Sequence, residues 1–133
     1  MLKKLINRTL KPFLVLAGLA TLSVGLLLVN PSTMFHALFQ YAYSPDYAII
    51  ILHWSFMITL VGLAMIYSAF VERGRVPILL FALMEKVGFV ALIGIYWHAE
   101  TTRGYFPALI MDSFISLYLF LYFVSFVWRR RKV

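Results

Sequence analysis

Four apolar runs, each long enough to cross a lipid bilayer, limit what this chain can fold into more than any other feature. A hydrocarbon layer about 30 Å thick is spanned by about 20 helical residues rising about 1.5 Å each. The runs cover residues 13–30, 47–70, 78–97 and 108–128, and little chain separates them. Within lipid every backbone N–H and C=O must find a partner inside the chain. Barrel strands would alternate polar and apolar residues, which these runs do not, so each run reads as a helix. Composition agrees, with 63% hydrophobic and only 13% charged residues, where a soluble domain carries about 25% charged. The expectation is an all-α integral membrane protein: one membrane domain, residues 1–133, folded as a four-transmembrane-helix bundle.

Lys3, Lys4, Arg8 and Lys11 ahead of the first run would also suit a cleaved signal peptide. The run is long for a signal's apolar core, and Val29-Asn30-Pro31-Ser32-Thr33-Met34 offers no small-x-small cleavage site, so it reads as a retained helix. Basic residues then set the orientation, because cytoplasmic loops keep Lys and Arg. One side collects those four, Arg73 and Arg75, and Arg129, Arg130, Arg131 and Lys132; the other has only Arg103, with Lys86 inside the third run. Both termini are therefore expected in the cytoplasm.

The formal charge of +7 follows from this flanking pattern, and juxtamembrane bases attract anionic lipid headgroups, so no nucleic-acid partner is expected. The chain has no cysteine, which rules out disulfides, thiol chemistry and Cys-ligated metal or iron–sulfur sites. His36, His53 and His98 are dispersed without a paired ligand spacing, so no metal site is expected. No phosphate-binding glycine loop and no nucleophile motif is present, and catalytic residues stay unassigned.

Residues 31–46 between the first two runs are too apolar and aromatic for a solvated linker. Pro31 can open a short interfacial helix sharing Phe35, Leu38 and Phe39 on one face, which Pro45-Asp46 ends. The turn from Val71 to Pro77 is short, so the second and third helices are expected as an antiparallel hairpin. Most Trp and Tyr residues sit near run ends, where amphipathic rings favour the interface, and Trp54 is the deepest exception. Gly18 and Gly25, Gly62 and Ala69, and Gly88 and Gly94 mark expected close helix contacts.

The residues that carry information are those that should not be in lipid. An ionisable side chain at the centre of a span costs at least about 2.5–3.5 kcal/mol, so each should face the bundle interior with a partner. His53, Glu85, Lys86 and Asp112 meet that description. By helical rise, His53 lies roughly 8–9 Å and Asp112 roughly 6–8 Å below the outer surface, which suggests that they pair. Glu85 and Lys86 lie roughly 11–13 Å from the inner surface, and as neighbours they point about 100° apart, so each is expected to need its own partner. With Trp54 and Ser116 these residues form the candidate site, read either as a structural polar network, with Ser55, Thr59 and Ser113 as further partners, or as a ligand or proton site.

Pro31 after the first span, His53-Trp54 opening the second, the turn Arg73-Gly74-Arg75-Val76-Pro77, the Glu85-Lys86-Val87-Gly88 stretch and Asp112 together resemble the DoxX-like families of small bacterial membrane proteins. The resemblance covers most of the chain and implies a multi-pass protein of the bacterial cytoplasmic (inner) membrane. DoxX is a subunit of a thiosulfate:quinone oxidoreductase, so the resemblance also implies quinone-linked work. Any enzymatic role would be as part of such an oxidoreductase. Three functions follow as expectations. In the first, a quinone-like or lipid molecule binds in the polar site between helices. The second is a non-catalytic accessory or assembly subunit of a larger membrane redox complex. The third is a small transporter, for which four short helices make a thin pathway unless the chain forms a homo-oligomer.

Overall fold

The computed structural model describes residues 2–130. Five α-helices run in the order α1 (Leu2–Leu22), α2 (Pro31–Phe39), α3 (Ala48–Phe70), α4 (Arg75–Ile95) and α5 (Phe106–Arg130), and a 3-10 segment, Ser23–Leu28, prolongs α1. Four stretches are long and apolar enough to cross a membrane: Lys4–Leu28, Pro45–Phe70, Arg75–Ile95 and Thr102–Ser125. At most 33% of the most apolar window of any of them is buried inside the molecule. The apolar remainder, including Ile49, Leu63, Phe81 and Phe114, faces outward, as a surface solvated by lipid requires.

The four long helices run up and down, and α1 pairs with α3 while α4 pairs with α5. The start of α1, the α3–α4 turn and the end of α5 share one end of the bundle, the basic end, where Lys11 Nζ sits 4.5 Å from the Phe70 ring centre. Arg131 and Lys132, and the side chains of Trp128, Arg129 and Arg130, lie outside the described residues. The other end is closed by α2 and the α4–α5 connection, and is rich in aromatic rings.

Helix α1 starts well before the first apolar run and continues through Pro12. Its early turns are ordered by packing: Ile6, Leu10, Leu14, Ala17 and Thr21 recur at three- and four-residue spacing and are buried, while Pro12 points outward. Thr9 and Tyr118 share a 2.7 Å hydrogen bond, and Phe13 stacks on Tyr118 with ring centres 3.6 Å apart.

The α1–α3 contact depends on glycine. A Cβ on Gly18 would lie 2.8 Å from the Gly62 carbonyl oxygen, and one on Gly62 would lie 2.8 Å from both the Gly18 oxygen and the Leu22 nitrogen. Backbones this close gain dispersion contacts that lipid chains cannot reach, which drives helix association where no hydrophobic difference exists. Gly25 instead packs against the Thr59 side chain, whose Oγ1 would lie 2.6 Å from a Cβ there, and Ser55 Oγ donates to the Val24 carbonyl at 2.8 Å. Gly88 and Gly94 do not conform to the expectation. Both are exposed with open space around them, because the face of α4 that packs carries Leu79, Ala82, Lys86 and Ile93 instead.

The α3–α4 hairpin is made by a short turn in which Gly74 adopts φ 84°, the left-handed region where only glycine is unstrained. Arg75 Nε donates to the Ser68 carbonyl at 2.6 Å, so this arginine satisfies a free carbonyl at the end of α3. Helix α2 begins as expected at Pro31, with the Asn30 side chain accepting from the Thr33 N–H at 3.3 Å. Its apolar face does not look outward. Phe35 and Phe39 are buried with Leu27, and Leu38, Trp54 and Tyr105 pack around them, so α2 plugs the bundle end.

Candidate functional site

Lys86 is the largest fully buried side chain among the described residues, at 2% exposure. It projects from α4 into the seam between the α1/α3 pair and the α4/α5 pair. Its Nζ lies 3.0 Å from Asp112 Oδ1 on α5 and 3.3 Å from Glu85 Oε2 on its own helix. Asp112 is buried as deeply, whereas the Glu85 side chain keeps 19% exposure and reaches the bundle surface. A lone charge here would be prohibitive, and mutual attraction in a low dielectric offsets the loss of water only when geometry is close. That balance explains the contact between sequence neighbours. Two long flexible side chains bend around the helix flank to meet, although their Cα–Cβ bonds diverge.

The pairing expected for His53 is not formed. His53 is exposed on α3, and Asp112 takes Lys86 as its partner. Matching depths did not specify rotation about the axis. His53 and Trp54 point about 100° apart, and it is the large indole that turns inward, its ring 5.8 Å from Phe39. Trp54, the deep exception among the aromatic residues, thereby forms a wall of the site.

A cavity of about 30 Å³ lies beside the triad, lined among others by Thr21, Phe39, Trp54, Lys86 and Asp112. That is room enough for a water molecule. Thr21 is fully buried in α1, and its hydroxyl has no hydrogen-bond partner among the described residues. Thr21 is not among the residues expected at the site, although a polar residue midway along the run from Phe13 to Asn30 is a signal for it. Ser116 Oγ, one turn beyond Asp112 on α5, is also buried and without a hydrogen-bond partner among the described residues. The other expected network members stay apart: Thr59 bonds its own helix at the Ser55 carbonyl, and Ser113 is exposed.

The arrangement is rich in acceptors. Two carboxylates and one ammonium sum to −1 when all are ionised, and the neighbouring hydroxyls can accept as well as donate. A hydroxyl or protonated amine placed in the cavity would find lone pairs on several sides. Among the described residues no group of three or more His, Cys, Asp or Glu side chains is placed to hold a metal ion. Comparison with known protein families, characterised proteins and solved structures finds no match to this chain.

Proposed function

We propose that this chain is a small DoxX-like protein of the bacterial cytoplasmic membrane, with both termini in the cytoplasm. Its Glu85–Lys86–Asp112 triad receives the hydroxyl-bearing head of a lipophilic molecule, a quinol or a lipid. The supporting observation is a buried excess of acceptors beside a water-sized cavity into which the unpartnered Thr21 hydroxyl also opens. Ionisable groups inside a span are costly to keep, and binding is a reason to keep them. The cavity admits one polar group rather than a whole ring, so the body of the ligand lies outward past Glu85, the triad member that reaches the surface.

The test is purification in mild detergent followed by mass spectrometry of co-extracted quinones and lipids. A lipophile retained by the native chain and lost from Glu85→Gln supports binding at the triad. Identical extracts from both would overturn it.

A second reading, an accessory subunit of a larger membrane redox complex, is favoured by a different observation. The triad's charges already meet one another, and the space beside them is small compared with ligand pockets of about 300–1,000 Å³. On that reading a protein partner co-purifies with the native chain and with Glu85→Gln alike.

A further inference from the structure

The connection between α4 and α5 is built tightly enough to hold a shape. The Tyr96 carbonyl accepts from the Ala99 N–H at 2.9 Å and from the Thr102 hydroxyl at 2.6 Å, and Thr102 itself is buried. Tyr41 donates to the Glu100 carbonyl at 2.5 Å, tying this connection to the segment after α2. Gly104 completes the junction, because a Cβ there would run into the Phe39 carbonyl and the Tyr41 ring.

The result is a pocket of about 430 Å³ lined by Trp97, His98, Glu100, Thr102, Arg103 and Phe106. It shares no lining residue with the triad cavity. Its size falls within the range of small-molecule sites. Two features narrow the ligand. Glu100 and Arg103 both line the pocket, yet among the described residues neither forms an ion pair, so a positive and a negative group are held apart and both remain available. Trp97 and Phe106 pack with ring centres 6.4 Å apart and are about half exposed at the ends of two spans, the level at which indole rings meet lipid headgroups.

We propose that this pocket binds a zwitterionic phosphate ester bearing a primary amine, the phosphoethanolamine chemistry of a lipid headgroup or its free ester. Arg103 offers a planar fork to the phosphate, and Glu100 accepts N–H groups from the ammonium. A choline headgroup has no N–H to donate to Glu100. An anionic glycerol headgroup brings no cation to it.

The experiment is native mass spectrometry of the full chain in detergent with equal amounts of phosphatidylethanolamine, phosphatidylcholine and phosphatidylglycerol of matched acyl chains. The ethanolamine lipid should be retained over the other two. Arg103→Ala and Glu100→Gln should each lower its retention about threefold to fivefold, the scale of a partly exposed charge contact. Glu100→Gln should also erase the preference over choline, while Arg73→Ala at the opposite end should change nothing. Added free phosphoethanolamine separates the two sources. Displacement of the lipid by the free ester assigns the site to the headgroup alone, and binding of the lipid without displacement assigns it to the membrane-borne form. Equal retention of all three lipids, or unchanged retention in both variants, would overturn the proposal.

Discussion

Lys86 shows how one residue can determine the neighbourhood of several. Removing its ammonium leaves Asp112 and Glu85 facing one another in a region that excludes water, and loss of one partner of a buried ion pair typically costs about 3–5 kcal/mol. Lys86→Met should therefore destabilise the bundle by about that amount, read as unfolding of the purified protein in detergent. The triple variant Glu85→Gln/Lys86→Met/Asp112→Asn should recover most of the loss, and a triple variant less stable than Lys86→Met would refute the shared origin. His53→Phe, on the exposed side of α3, should change stability by no more than about 0.5 kcal/mol. Thr21→Val is an isosteric probe of the cavity. With the hydroxyl unpaired, the change should be neutral or stabilising in ligand-free protein, and it should weaken retention of a lipophile bound at the triad.

Between elements, the bundle is held where backbones touch. Gly62→Leu would push a side chain against the Gly18 carbonyl and the Leu22 backbone, neither of which can yield as a flexible side chain does. A loss of at least about 1–3 kcal/mol is expected, the range for overpacking. Gly88→Leu points into open space and should be tolerated. Thermal unfolding of the two variants side by side checks this, and equal losses would mean that the α1–α3 crossing is not the tight one. At the aromatic end, Asn30→Ala removes the cap of α2 and should cost about 1 kcal/mol. That loss should loosen the Phe35 and Phe39 plug above Trp54.

For the whole molecule, the prediction concerns orientation. The basic end gathers Lys4, Arg8, Lys11, Arg73 and Arg75, whereas Arg103 stands alone among Lys and Arg at the aromatic end. If the basic end faces the cytoplasm, single cysteines at Ser32 and Ala99, both exposed, should react with an impermeant thiol reagent in intact cells. Cysteine at Gly74 should react only after lysis. The opposite pattern would reverse the orientation, and labelling at all three sites would contradict four crossings.

The helical class, the four long apolar helices, the hairpin turn and the entry to α2 at Pro31 were all legible in the sequence, because each rests on local physics. Backbone groups in lipid must be satisfied within a helix, and proline after an asparagine cap starts one. The same chain showed that Glu85, Lys86 and Asp112 were out of place in an apolar run. It could not show which of them would meet. Depth along a helix follows from counting residues, but partnership depends on how each helix is rotated and which faces its neighbours cover. Tertiary packing turned Trp54 inward and His53 outward, brought Lys86 to Asp112, left Gly88 and Gly94 uncovered, and placed Thr21 beside the triad.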